Sequence, residues 1–313
     1  MGNILRTCVV AATLLTAFMP LLPAKAAALI FPLGFIALLL AAASAVLAFT
    51  RKKFWRIVHG ISFAVCIPFL TAYIPIVKGE ITGGGQTLRI VSWNTANFMT
   101  NRDTMLHASA YISDQHPDIV CLQERPHDVK VAWNDITTAF SHLPHAARNS
   151  HEDEVLNLAI LSRYPILRSG ERTFEGTYNK YMWADIAAGK DTLRVFCIHL
   201  QTNHVTGWKD LTNNASKRDA QADKLAADID ASPYPVVACG DFNDTPSGYP
   251  ARLLRRRLTD LSRQWPLHGT FKPFGSMLKI DYMMHSLKTA PLSYSLITTP
   301  WSDHKMQVGE IGI

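Results

Sequence analysis

The chain has 313 residues, 48% hydrophobic and 18% charged, with a formal net charge of +6, a balance that excludes a disordered polyelectrolyte. The charge is unevenly placed: seven of the 31 basic residues and one of the 25 acidic residues precede Thr87, leaving 24 of each from there on. A net basic, polyanion-tracking surface on the larger part is excluded with it, because nonspecific nucleic-acid affinity comes from phosphate neutralisation.

Residues 1–79 contain three apolar runs, 4–22, 27–49 and 57–77, each close to the ~20 residues a helix needs to cross a bilayer. Arg51, Lys52, Lys53 and Arg56 lie between the second and third runs, and basic loops stay in the cytoplasm. The expectation is a multi-pass protein of the inner or plasma membrane whose remaining chain is extracytoplasmic. The first run also reads as a signal peptide, with Arg6 at its start and Ala24-Lys25-Ala26 as a cleavage site; both readings give the same topology. Residues 80–86, with Gly83, Gly84 and Gly85, read as a flexible linker, and 87–313 as one domain.

Within that domain, apolar runs predict strands at 88–93, 119–123, 156–162, 182–187, 193–200, 235–239, 280–285 and 306–311. Helices are expected at 103–115, at 214–230 with Asn213 or Asn214 as cap, and around 248–257. The stretch in the 290s, with its Ser, Thr and Pro, reads as a loop. Arg252, Arg255, Arg256 and Arg257, interleaved with Leu253, Leu254 and Leu258, read as a solvated face, or else as a phosphate-facing patch. Cys121, Cys197 and Cys239 sit inside strand-like runs and read as small core residues, not as a disulfide framework or zinc site.

The strand ends carry the chemistry. Asn94 ends the first run, Glu124 follows the second, His199 falls in the fifth, and Gly240-Asp241-Phe242-Asn243 follows the sixth. Asp281 opens the seventh, and Ser302-Asp303-His304 precedes the last. Carboxylate and amide oxygens suit a hard divalent cation, and a carboxylate beside an imidazole fixes its tautomer and raises its basicity. Standing alone, each has a plainer reading: the run from Asp241 to Pro246 as a turn, Glu124 as a solvated strand end, His199 as a structural histidine, Trp93 as core. The acids Glu152, Asp153 and Glu154 read as an exposed loop.

The ordered set Trp93-Asn94, Gln123-Glu124, His199-Leu200, Gly240 to Asn243, Asp281-Tyr282 and Ser302 to His304 resembles the endonuclease/exonuclease/phosphatase superfamily, the DNase I-like phosphoesterases, over nearly all of 88–313. The resemblance implies a four-layer α/β sandwich, two packed mixed β-sheets flanked by helices. It also implies Mg2+, or Mn2+, at Asn94 and Glu124 with Asp303 nearby. His199 and Asn243 would contact the scissile phosphate, and Asp241 with the pair Asp281 and His304 would carry the protons. Ala96 and His199 depart from the abasic-site repair pattern, and Arg218 with Gln221 resembles a membrane-anchored extracytoplasmic branch. The reading that follows is a metal-dependent phosphoesterase at the lipid bilayer, acting on a phosphorylated, lipid-linked substrate. An extracytoplasmic nuclease acting on nucleic acid and a catalytically silent, membrane-tethered binding module are the alternatives.

Overall fold

The computed structural model describes residues 2–22, 26, 36–70, 86–96, 101–150, 156–203, 207–264, 269–273, 278–287 and 292–313. Among the described residues the chain opens with helices α1 (Asn3–Phe18), continued by a 3-10 turn at Met19–Leu21, α2 (Ala37–Leu47) and α3 (Lys53–Leu70). They pack on one another, with the hydroxyls of Thr13 and Ser44 3.1 Å apart between α1 and α2.

Among the described residues no helix is long and apolar enough to cross a membrane, which corrects the expected multi-pass membrane localisation and extracytoplasmic setting. At 16 and 11 residues, α1 and α2 fall short of the ~20 required. The 18-residue α3 opens on Lys53 and Arg56 and carries His59 in its second turn, so its apolar run is short and interrupted. Much of the apolar composition here goes into side chains that stay exposed, such as Ile4, Phe18, Phe49 and Ile61. Residues 27–35 and 71–77 of the expected spans, and all of the expected linker except Gln86, lie outside the described residues.

From Thr87 the apolar alternation builds two six-stranded sheets. The first contains β1 (Thr87–Asn94), β2 (Ile119–Arg125), β3 (His145–Arg148), β4 (Asn157–Ser162), β11 (Ser293–Ile297) and β12 (Met306–Gly312), in the order β11-β12-β1-β2-β4-β3. The second contains β5 (Ile166–Thr173), β6 (Lys180–Ala188), β7 (Asp191–His199), β8 (Val236–Asp241), β9 (Thr259–Asp260) and β10 (Asp281–His285), in the order β5-β6-β7-β8-β10-β9. Both sheets are mixed. Their parallel pairs are β1 with β2 and β7 with β8, each needing a crossover. Helices α4 (Arg102–Ser113) and α6 (Trp208–Asp230) supply these, and α5 (Trp133–Ala139) and α7 (Tyr249–Arg255) complete the set.

The core follows from strand period. Leu88, Ile90, Cys121, Leu158 and Ile160 of the first sheet meet Met182, Ala184, Val195, Cys197, Cys239 and Met283 of the second in one buried cluster. Alternate residues face outward under helices: Val91, Trp93 and Leu122 beneath Met105 and Ile112 of α4, and Phe196, Ile198 and Ala238 beneath Leu225 and Ile229 of α6. The four-layer sandwich expected from the sequence is thus formed, and all eight expected strands are present. All five cysteines are free thiols.

Two sequence expectations need correction. Residues 293–297 form β11, because Ser293 to Ile297 pair antiparallel with β12. Helix α6 begins at Trp208, where burial of Leu211 and Ala215 offsets the weak helical propensity of Thr212, Asn213 and Asn214. In the arginine group, Arg252 donates to the Ser247 carbonyl, Arg255 pairs with Asp260, and Arg257 with Asp230. Three of its four guanidinium groups are therefore engaged by the fold.

Candidate active site

Topology brings the motif residues to one end of the sandwich. β1, β2, β7 and β8 finish there with Asn94, Glu124, His199 and Asp241, while β10 runs antiparallel to β8 and starts there, with Asp281 opposite Asp241. His304 lies just before β12, which runs antiparallel to β1. The Ser302 hydroxyl donates to the Asn94 carbonyl at 2.7 Å and accepts the His304 N–H at 3.0 Å, so the turn is pinned to the end of β1. The Trp93 indole, in the core, donates to the His304 carbonyl at 3.2 Å.

Glu124 leaves the regular ladder. The β2–β4 register shifts between Leu122 and Arg125, and Glu124 adopts φ 53°, a conformation that costs a non-glycine residue energy and aims its side chain away from the strand alternation. Its Oε1 accepts from the Asn94 amide at 3.0 Å and lies 2.8 Å from His199 Nε2. The same Asn94 nitrogen donates to Asp241 Oδ2 at 3.0 Å, while Asn94 Oδ1 accepts from the Ala96 N–H. Burial works to raise the Glu124 pKa, but His199 and Asn94 outweigh it and hold the carboxyl below its usual range.

A second unit stands beside the first. His304 Nδ1 is 2.9 Å from Asp281 Oδ2, and its Nε2 is 3.8 Å from Asp241 Oδ2. Burial disfavours the imidazolium, yet Asp281, Asp241 and Asp303 together raise the His304 pKa to about 10. Burial, with Asp281 repelling, raises Asp241 to about 6. For His199, burial pulls downward while Glu124 and Asp241 pull upward and prevail. The Thr270 hydroxyl oxygen accepts the backbone N–H groups of Ile280 and Asp281, fixing the entry to β10.

Among the described residues, two groups have ligand atoms lying within 4.8 Å of one another: Glu124 with His199 and Asp241, and Asp241 with Asp281 and His304. They share Asp241. Of the residues expected at the site, Asn94, Glu124, His199, Asp241, Asp281 and His304 converge. Asn243 adjoins them, with φ 52°, its N–H donating to Asp241 Oδ1 and its amide to the Leu200 carbonyl. Asp303 sits at the rim, its side chain 48% exposed and one oxygen 4.0 Å from His304 Nε2.

Sequence reasoning missed the support around His199. Asn179 Nδ2 lies 2.8 Å from His199 Nδ1, and the Thr177 hydroxyl oxygen lies 2.7 Å from Asn179 Oδ1 and 2.8 Å from Gln201 Oε1, sharing its one proton between them. The run Gly176 to Asn179 has turn composition, so nothing in it signalled contact with a histidine 20 residues on. From α6, Arg218 donates to the Gln201 carbonyl and to Asn203 Oδ1, and Gln221 accepts the Gln201 N–H. The loop leaving His199 is held by these two residues.

A sequence model described as the Endonuclease/Exonuclease/phosphatase family matches residues 91–304. No curated protein matches the chain. Solved structures with this fold include an endonuclease/exonuclease/phosphatase from Beutenbergia cavernae, at 18% identity, with 73% of this chain and 72% of that one covered and a TM-score of 0.59. A humanized D. rerio TDP2 has 20% identity over 72% of this chain and 99% of its own, with a TM-score of 0.60. A 3' phosphatase from Neisseria, bound to product DNA hairpin, has 18% identity over 72% and 100%, with a TM-score of 0.56.

Proposed function

We propose a division of roles for this site on the premise its family supplies: the chain belongs to the Endonuclease/Exonuclease/phosphatase family and is a metal-dependent phosphoric ester hydrolase. The observation that carries the proposal is the pair of polar groups sharing Asp241. The donor set suits a divalent cation, since ligand atoms of Glu124 and Asp241 lie within 4.8 Å of one another, and hard oxygen donors are what Mg2+ or Mn2+ prefers. Glu124 would hold the cation together with Asn94, whose ligating atom would be the Oδ1 that here accepts the Ala96 N–H, with Asp303 at the rim completing the set. When bound, it would polarise a phosphoryl oxygen and favour formation of the attacking hydroxide.

The remaining roles belong to the chain itself. His199 and Asn243 face the phosphoryl group, whose charge grows in the transition state and is stabilised by fixed donors. Asp241, raised to about 6, is poised to accept a proton from water near neutral pH. His304, raised to about 10 by its neighbours, is a cation at neutral pH, which favours charge stabilisation and proton donation over the base role its pairing with Asp281 first suggests.

The substrate class we favour is a compact phosphate ester or pyrophosphate. The charge from Thr87 onward is balanced, and Arg172, Arg194, Arg218, Arg255 and Arg257 pair with carboxylates of the fold, which weighs against a strongly basic track for a long polyanion. The lipid-linked reading drew mainly on a membrane anchor, and among the described residues no helix is long and apolar enough to cross a membrane. The test is the purified full chain with Mg2+, Mn2+ or EDTA against p-nitrophenyl phosphate, bis-p-nitrophenyl phosphate, DNA, RNA, a polyprenyl pyrophosphate and phospholipid. Turnover of a small ester or pyrophosphate, abolished by EDTA, is the expected result. Cleavage confined to DNA or RNA would favour the nuclease reading, and no cleavage in any metal the binding module.

A further inference from the structure

We infer that Asn179 is a positioning residue that sets which nitrogen of His199 carries the proton, placing it on Nε2, the nitrogen that faces Glu124 Oε1 in the site. The inference rests on the phosphoesterase reading for its consequence, but its geometry stands apart from it. His199 is 2% exposed, and each ring nitrogen has one close partner: Glu124 Oε1 at 2.8 Å from Nε2, and Asn179 Nδ2 at 2.8 Å from Nδ1.

The orientation of the Asn179 amide settles what Nδ1 meets. Its nitrogen also lies 2.9 Å from the Leu200 carbonyl oxygen, which can only accept. On the other side its Oδ1 receives the Thr177 hydroxyl at 2.7 Å. Turning the amide over would set its oxygen against that carbonyl, so the nitrogen end faces His199; the Thr177 hydroxyl, which also has Gln201 Oε1 at 2.8 Å, can serve either face and does not decide the orientation. An N–H aimed at Nδ1 requires a lone pair there, which leaves the ring proton on Nε2, facing the site. A proton on Nδ1 would point one donor at another.

The support around Asn179 is built to hold that arrangement. Asn179 is 2% exposed, its own N–H bonds back to Thr177 Oγ1 at 3.2 Å, and the Leu200 carbonyl it uses also receives Asn243 Nδ2 at 3.0 Å. One carbonyl thus ties the orienting amide and a phosphate-facing amide to the strand end that carries His199. Partners of this kind fix the orientation and tautomer of a working histidine.

The test reads the tautomer directly, by 15N NMR of the full chain labelled in histidine, with His199 assigned through its backbone, in EDTA and in Mg2+. The expected spectrum has a protonated Nε2 and a lone pair on Nδ1, and in Asn179→Asp the proton moves to Nδ1. In parallel, Asn179→Ala should lower kcat on whichever ester is turned over by about tenfold or more with little change in KM, and should cost nothing further in a His199→Gln background. A wild-type ring protonated on Nδ1, or on both nitrogens, overturns the inference, as does an equal loss from Asn179→Ala with His199 already replaced. If Asn179→Ala fails to fold, the wild-type tautomer still decides. If no phosphoester is cleaved, the spectrum answers independently, and only the phosphoesterase reading falls.

Discussion

At the residue scale, the site is a set of charges whose burial makes each partner necessary. Glu124→Gln keeps the shape but removes the negative charge facing Asn94 and His199, so Mg2+ affinity should weaken and turnover fall on the order of 10²-fold or more. Titration calorimetry and kinetics measure the two effects separately; unchanged Mg2+ affinity would take Glu124 out of the cation site. Asp281→Asn and His304→Ala should each be costly but together little worse than one alone, because they act as one unit. A different histidine governs acid stability. His285 is fully buried at the far end of β10, with no hydrogen-bond partner on either ring nitrogen among the described residues, and burial lowers its pKa to about 4. The folded state therefore binds its proton more weakly than the unfolded chain does, and stability is lost as pH falls from the unfolded value near 6.5 toward about 4. The loss is on the order of 3 kcal/mol. His304 and Asp241, both raised, favour the protonated fold and act in the opposite sense. The difference between wild type and His285→Leu isolates the one group: urea midpoints from pH 7 to 4 should drop less in the variant, and parallel curves would refute the assignment.

At the element scale, strand period and strand ends were legible because both sheets bury both faces and so demand long apolar runs. The eight strands anticipated are the well-buried ones. The four overlooked, β3, β5, β9 and β11, are short or lie at or near sheet edges, and their polar residues, as in Arg168 to Arg172, give no alternation to read. The site was legible for the same reason, since motif residues sit at strand ends. Its supports were not, because Asn179, Thr177 and Thr270 act through contacts that only the assembled sheets create. Gly240 shows how tightly the elements are set. Its φ is 135°, and a Cβ there would lie 2.1 Å from the Ile198 carbonyl oxygen on the neighbouring β7. Gly240→Ala therefore forces apart the two parallel strands that deliver His199 and Asp241. It should cost several kcal/mol, roughly 3 or more, and lower turnover even in the fraction that folds; thermal unfolding and active-site titration together would show it. A variant with wild-type stability would mean that β7 and β8 can part freely.

At the scale of the whole molecule, charge and chemistry are separated along the chain. The excess of six positive charges belongs to the residues before Thr87, with Arg51, Lys52, Lys53 and Arg56 clustered at and before the start of α3, whereas the two-sheet part is balanced. A polyanion would therefore bind through the N-terminal segment, and it would do so by counterion release, with affinity falling steeply as salt rises. A small ester reaching Asp241 and His304 would not depend on that segment. Two salt responses should follow from one protein: KM for bis-p-nitrophenyl phosphate nearly flat between 50 and 200 mM NaCl, and affinity for a DNA hairpin, measured by anisotropy in EDTA, falling with salt. Replacing Arg51, Lys52 and Lys53 together by Gln should remove about three phosphate contacts' worth of that slope while leaving kcat on the small ester unchanged. A steep slope that persists in the triple variant would place the polyanion on the two-sheet part instead, and would return a nucleic acid to the head of the substrate classes.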